Sequence, residues 1–314
     1  MSDPAPSDSK PLAAAKPAPA ARSLRLSRGL SRGEWAATAA PLLWLAVFFA
    51  APTLLIFAMA MRPPTPYGGV GEGWSTEAIG ALADPNYPAI IWRTLWISAG
   101  ATAGCLALGL PCAYAMARAR PRWRALLLIA VVVPFWTNFL IRIFAWRQVL
   151  HPDGPVASAL RWIGVLPDGA LLLYNPWAVL FVSVYAYLPF AILPLYAAAE
   201  KFDFALLDAA RDLGAGRWRA FFRIFVPGVR GGLATAFLVV FIPLLGSYVI
   251  PDLVGGADGQ LIGNKIAQRN FNDRNIPEAA ALSAALALAI ALPALLASVF
   301  RWRRARHASE GAPA

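Results

Sequence analysis

Residues 174–199 read YNPWAVLFVSVYAYLPFAILPLYAAA. The stretch has no charged side chain and exceeds the roughly 20 apolar residues with which a helix crosses about 30 Å of hydrocarbon. Outward from it, five more runs have the same character: Ala36 to Met61, Ile90 to Ala117, Ala125 to Trp146, Leu233 to Val254 and Ala279 to Phe300. Together they predict an all-α membrane protein with six transmembrane helices, an even number that returns the chain to the side on which it starts. Of the 314 residues, 59% are hydrophobic and 14% charged, and the mean hydropathy is +0.55. That is too apolar for a soluble domain of this length.

The punctuation of these runs fits a membrane setting. Pro111, Pro134, Pro189, Pro194, Pro243 and Pro293 lie inside them, where they would break soluble helices but are tolerated in a bilayer because neighbours re-satisfy the freed carbonyls. Several spans are therefore expected to kink. The segment Val156 to Ile163, interrupted by Arg161 and followed by Pro167 and Gly169, is too short to cross and reads as interfacial. Residues 1–35 open on a Pro/Ala/Ser tract and then carry Arg22, Arg25, Arg28 and Arg32, which predicts a disordered basic tail. The order of parts is not that of a signal peptide, so the first run is expected to remain as a span. Residues 301–314 form a second basic tail, which leaves residues 36–300 as the six-span transmembrane domain. No repeat at a fixed period is evident.

The formal charge is +11, from 28 basic and 17 acidic side chains, and its meaning depends on where it sits. Basic residues gather in the two tails, in the loop with Arg118, Arg120, Arg122 and Arg124, and in the loop from Lys201 to Arg230. Charge between membrane spans does not suggest nucleic acid. By the positive-inside rule these segments, and with them both termini, are cytoplasmic. The opposite loops hold Glu72, Glu77, Asp84, Asp153, Asp168, Asp252, Asp258, Asp273 and Glu278. Such a face attracts cations, although topology alone also depletes outer loops of basic residues; both readings stand at this point.

Catalytic chemistry is hard to place on this chain. The histidines His151 and His307 fall in different polar segments, and Cys105 and Cys112 lie inside one span, too far apart along a helix to bridge. Both cysteines are expected to be packing residues. No metal-ligand spacing, nucleophile elbow or phosphate-binding loop occurs, and the dipeptide Gly-Lys is absent. No catalytic residue, metal or cofactor is assigned; if the work of this chain is powered by ATP with its Mg, a partner subunit binds them.

The loop between spans four and five reads Asp208-Ala-Ala-Arg-Asp-Leu-Gly214-Ala-Gly216-Arg-Trp-Arg-Ala-Phe-Phe-Arg-Ile224-Phe-Val-Pro227. Glu200 to Leu213 predicts a short amphipathic helix, Gly214 and Gly216 a sharp turn, and Arg217 to Val226 a second helix that Pro227 ends. The product is a bent finger. Ala209 and Ala210 leave room for a close approach, and Phe221, Phe222 and Phe225 are expected to anchor its base. An interfacial helix pair lying on lipid headgroups would read the same way from composition.

The spacing resembles the EAA motif of permease subunits of ABC-type importers, with Asp208, Ala209, Ala210, Gly214, Ile224 and Pro227 at the motif's positions and with Asp208 and Val226 replacing the family's Glu and Leu. The resemblance implies the type I ABC importer permease fold, with residues 200–230 as the coupling loop that docks on the ATPase. Further stretches are similar to the permeases of spermidine/putrescine importers, above all the first of their two permease subunits. These are Pro134 to Trp146, Ile242 to Gly246, Val249 to Gly256, Ile262 to Ile266 and Asp273 to Pro277. Where that family commonly has Arg-Asp-Trp-Pro, this chain has Asp273-Arg-Asn-Ile-Pro277.

The resemblance implies a multi-pass subunit of the bacterial inner membrane. Its implied partners are a second permease, ATPase subunits, an extracytoplasmic solute-binding protein, membrane lipid and a small-molecule substrate, here a polyamine or similar organic solute. Within the spans, Asn138 and Arg142 are polar groups that usually face a bundle interior or a water-filled route. Arg142 either pairs with a carboxylate or backbone carbonyls or snorkels to the surface. Tyr248 and Asp252 suit a cation through the aromatic face and the carboxylate. Asn264 lies in the segment Gly263 to Pro277, read as an external gate helix. A secondary carrier or channel working without ATP is the rival, and it has no reason to match the finger spacing.

Overall fold

The computed structural model describes residues 32–167 and 169–310, so the expected tail from residue 1 to 31 and its arginines up to Arg28 lie outside the described residues. The chain divides into two compact units, Met1–Pro52 and Thr53–Ala314. In the first, the described residues form α1 (Arg32–Leu45) followed by a π-helical turn over Ala46–Ala50.

The second unit runs through α2 (Ala51–Ala60, here from Thr53), a single turn α3 (Glu77–Gly80) and the long α4 (Tyr87–Arg118). Then come α5 (Pro121–Val132), α6 (Phe139–Val149), the short α7 (Pro155–Trp162), α8 (Pro176–Glu200) and α9 (Ala205–Asp212). Next are α10 (Arg217–Ala220), α11 (Val226–Gly228), α12 (Arg230–Leu245), α13 (Val249–Val254), α14 (Ile262–Ala267) and α15 (Ile276–Glu310). Among the described residues the only extended pairing is an isolated bridge between Pro64 and Val70. Among the described residues, four helices are long and apolar enough to cross a membrane, and two sharply bent pairs bring the number to six if each pair is one span.

The bends fall at loop-like breaks rather than at most of the prolines. The third run is not a straight helix: Pro121–Trp136 and Phe139–Val149 meet at 89°. Thr137 and Asn138 are extended there, and the Asn138 side chain accepts a hydrogen bond from the Leu140 amide at 2.8 Å, capping a new helix. The fifth run stops at Leu245, and Val249–Val254 is a separate helix after a break at 246–248. By contrast α8 runs unbroken through Pro189 and Pro194. The expected basic tail is likewise helical as far as Glu310, as a continuation of α15.

The core is the seam between α4 and α8, with α12 packed against both. On α4 the residues Ile97, Ala101, Cys105 and Ala113 are fully buried, a four-residue spacing that keeps one face inward. Gly100, Gly104 and Gly109 of α4 lie so near Leu180, Val184 and Leu195 of α8 that an added Cβ would sit 2.9–3.1 Å from them. Close backbone approach of this kind replaces the hydrophobic driving force that lipid does not supply between helices. Two hydroxyls of the seam are satisfied locally, those of Thr94 and Thr102 donating to the carbonyls of Ile90 and Ser98, whereas the buried Ser98 hydroxyl has no partner among the described residues. Cys105 is part of this packing, whereas Cys112, expected to be the same, is exposed.

α12 joins the seam through Gly232, whose Cβ would lie 2.5 Å from Ala198 Cβ and 2.9 Å from the Pro194 carbonyl oxygen. Gly232→Val is therefore expected to destabilise the purified protein by about 1–3 kcal/mol through overpacking. Gly231→Ala, at a position with open space, serves as the control, and equal unfolding midpoints for the two variants would contradict this account.

Candidate functional site

The finger begins where α8 ends. Residues 201–204 do not continue a helix from Glu200 as expected; α9 starts at Ala205, whose amide donates to the Asp203 carboxylate at 3.0 Å. α9 is amphipathic, with Leu207 buried, Ala210 half-buried and Asp208 and Ala209 exposed. Its end has a specific geometry. Gly214 has φ +85°, its amide donates to the Arg211 carbonyl at 2.9 Å, and the Ala215 amide donates to the Ala210 carbonyl at 2.9 Å. This pair of bonds is a Schellman motif, and the residue in the left-handed conformation is favoured to be glycine. The spacing from the alanine pair to Gly214 is thus the length of a helical cap.

The return arm starts at Arg217 and does not stop at Pro227. It widens into a π-helical turn over Phe221–Phe225, continues as Val226–Gly228, and meets α12 at 73° after Val229. The widened turn changes the backbone register ahead of Pro227, which has no amide hydrogen to donate. The base of the finger is aromatic: the Tyr114 ring of α4 lies 5.0 Å from Phe225, 5.4 Å from Phe221 and 5.9 Å from Phe204, all edge-on. Phe222, expected to share this role, is 59% exposed and stacks on Trp218 instead. Arg118 lies over the Tyr114 and Phe204 rings and donates to the Tyr114 hydroxyl at 2.8 Å. Arg124 of α5 donates to the Tyr196 hydroxyl and pairs with Glu200, bracing the end of α8.

At the other ends of α4 and α8 stands the segment expected to be a gate. α14 continues through a π-helical turn over Gln268–Asn272, and its first turn is held by Thr94, whose hydroxyl accepts from the Ile262 amide at 2.9 Å. Asn264 is 7% exposed, with its amide donating to the Tyr248 carbonyl at 2.9 Å and its carbonyl accepting from the Leu261 amide at 3.1 Å. These two bonds tie the start of α14 to the Tyr248 backbone. A cavity of about 610 Å³ lies beside it, lined by Tyr248, Gly263, Asn270, Phe271 and Ser283 among others.

The other residues read from sequence fall elsewhere. Asp252 is exposed, and Asn138 caps α6. Among the described residues Arg142 pairs with no carboxylate; its guanidinium lies 5.0 Å from the Phe135 ring and 5.8 Å from that of Phe139. Among the described residues, no cluster of His, Cys, Asp and Glu side chains is placed to hold a metal ion.

Behind the gate, Glu278 corrects the picture of an open acidic face. It is 6% exposed, accepts from the Tyr87 hydroxyl at 2.5 Å and the Asn275 amide nitrogen at 2.8 Å, and lies 2.9 Å from Arg269 Nε. The Arg269 guanidinium also holds Asp273 at 2.9 Å. Burial works against the Arg269 charge, but the Tyr87 hydroxyl and the carboxylates of Glu278 and Asp273 outweigh it and raise its pKa above the ordinary arginine value.

A profile of the family described as "Binding-protein-dependent transport system inner membrane component" matches residues 106–305, a stretch containing the whole finger and gate. The chain belongs to this family. The permease is 36% identical over 263 residues to the spermidine/putrescine transport system permease protein PotB of Escherichia coli (strain K12), covering 84% of this chain and 94% of that one. The corresponding protein of Haemophilus influenzae is 38% identical over 249 residues, covering 79% and 87%. The inner membrane ABC transporter permease protein YdcU of Escherichia coli (strain K12) is 32% identical over 226 residues, covering 68% and 72%. Among solved structures, a chain of a bacterial ABC transporter involved in import of the acidic polysaccharide alginate has a TM-score of 0.62 at 19% identity, covering 87% of the permease and 94% of that chain. The fold is that of ABC importer permeases, and the protein is a permease subunit of an ABC importer, a transport component rather than an enzyme.

Two parts of the permease's site escaped sequence reasoning. Leu213, at 90% exposure, and Trp218, at 76%, are the apolar knobs at the tip of the finger, legible in principle as large apolar residues beside a glycine turn. The contact of Tyr87 with Glu278 spans 191 positions, and no local signal announces it. Between gate and bundle, a Cβ on Gly263 would lie 2.5 Å from the Ser247 carbonyl oxygen and 2.8 Å from that of Gly246. Gly263→Ala is expected to displace the gate helix, seen as faster proteolysis of the 246–275 segment with the unfolding midpoint of the bundle little changed. Wild-type cleavage kinetics would show that the gate is not held this closely.

Proposed function

We propose that this permease forms one half of the translocation pathway of a polyamine importer. A second permease supplies the other half, separate ATPase subunits carry the ATP and Mg, and an extracytoplasmic binding protein delivers the solute. The observation that carries the substrate class is the 36% identity spread over 84% of the chain and 94% of a permease named for spermidine and putrescine. The acidic loops and the aromatic lining of the cavity, Tyr248 and Phe271, suit an oligoamine, since a cation gains about 0.5–2 kcal/mol over an aromatic face without the strong trap of a buried carboxylate. With basic loops inside, both termini and the finger are cytoplasmic, and the bundle is embedded in inner-membrane lipid.

The finger's chemistry is mechanical. Asp208, Ala209 and Gly214 are exposed on it and offer the docking surface, while Ala210 and Ile224 pack inward and Pro227 sits at the bend that leads into α12. Closure of the ATPase subunits moves the finger, and the Tyr114 and Phe225 contacts pass that motion to α4 and α12. The supporting observation is the Schellman turn, which holds the tip in one shape without depending on a partner.

Reconstitution of the complete importer tests the substrate: spermidine or putrescine with the binding protein is expected to stimulate ATP hydrolysis and drive uptake. Flux driven by a gradient through this chain alone would replace this reading with that of a carrier. For the finger, Gly214→Glu forces a side chain into a left-handed backbone at a cost of about 1–2 kcal/mol in the turn and adds charge at the docking face. It is expected to fold in the membrane but to lose most ATPase co-purification, whereas Gly216→Ala, at an ordinary φ of −63°, retains it. Undiminished co-purification and uptake in Gly214→Glu would remove the docking role.

A further inference from the structure

The gate helix has two faces with different chemistry. Gly263, Ile266, Ala267, Asn270 and Phe271 line the cavity, at the three- and four-residue steps of one helical face. Arg269 points the other way, to Glu278 on the first turn of α15 and, through that carboxylate, to Tyr87 at the start of α4. Two neighbouring segments and a third, 191 positions from Glu278, therefore meet on one buried carboxylate. Arg269 Nε is buried and lacks an aligned hydrogen bond even though it lies 2.9 Å from Glu278, so charge rather than bond geometry holds the pair.

We propose that Arg269, Glu278 and Tyr87 form a clasp that keeps the gate helix over the cavity, and that opening this clasp is a step of the transport cycle. Several features favour a switch over a static brace. Buried ion pairs add little net stability compared with apolar packing, and their best-attested uses are to set register and to switch. Arg269 sits within the π-helical turn over Gln268–Asn272, a winding frequently found at functional positions. The link to α15 contains Arg274 at φ +52°, a conformation a non-glycine residue keeps only where its surroundings impose it. That residue is pinned on two sides: its carbonyl accepts from the Gly69 amide at 2.8 Å, and Gly68 could carry no Cβ beside it, since one would lie 2.7 Å from Arg274 Cβ.

The clasp holds one of two arrangements, so its loss moves the population toward the other. Arg269 and Glu278 are thus positioning residues: they face away from the cavity and act through the gate helix. The proposal rests on the reading of that cavity as part of the pathway, and its readout is chosen to be independent of solute identity.

The experiment measures ATP hydrolysis by the complete reconstituted importer without solute or binding protein. Glu278→Gln and Arg269→Gln are each expected to raise this basal rate on the order of fivefold or more and to lower the solute taken up per ATP. Arg269→Lys, which keeps the charge, is expected to restore most of the wild-type behaviour. Basal hydrolysis unchanged or lowered in assembled complexes of both glutamine variants overturns the proposal. Should either fail to assemble, Tyr87→Phe removes one arm of the clasp without altering charge, and a wild-type basal rate in that variant overturns it equally. A wild-type complex that polyamines do not stimulate would fault the substrate reading and leave the basal measurement intact.

Discussion

Close approach of α4 and α8 is the constraint on which the remaining structure depends. In lipid, apolar side chains gain nothing by leaving their solvent, so two helices associate only if their surfaces fit. Gly100, Gly104 and Gly109 supply that fit by letting Leu180, Val184 and Leu195 lie against the α4 backbone. α4 has 32 residues and is roughly 48 Å long, more than the hydrocarbon thickness, so its two ends lie beyond the layer that it crosses. The finger is fastened at one end and the gate at the other.

Each end uses a different kind of adhesive. At the finger, the Tyr114 ring meets Phe204, Phe221 and Phe225 edge-on, a packing worth about 0.5–1.5 kcal/mol per pair beyond burial and with a defined direction. Such a base is fixed in geometry, since the rings cannot slide past one another without losing their edge contacts. At the gate, the adhesive is polar: Thr94 and Asn264 hold the helix start, and Glu278 gathers Tyr87, Asn275 and Arg269. Polar contacts of this kind are strong while fully satisfied and costly when half-broken.

The two ends are joined by rigid helices. α8 runs without a break from Pro176 to Glu200, and Arg124 with Tyr196 braces its last turns where the finger departs. Displacement of the finger is therefore borne by the same helix whose other end lies near the gate: the Tyr174 amide, just ahead of α8, donates to the Val254 carbonyl of α13 at 2.8 Å. α12 completes the connection, since it begins at the bend after the finger and ends at Gly246, against which the gate helix packs.

The apolar runs, their approximate limits and the bent helical finger between the fourth and fifth runs were legible in the sequence, because length and hydrophobicity are local properties and hydrocarbon admits few alternatives to a helix. Gly214 was legible for a similar reason: a cap four residues past Ala210 is settled within one turn. The two sharp bends, at Thr137 and Val229, were not, since a break is tolerated or straightened according to what packs beside it. Neither was the burial of Glu278, which the linear pattern placed with the exposed acids of its loops. Its environment is made by Tyr87 and Arg269 from two other segments, and a carboxylate's character is decided by the groups folding brings to it.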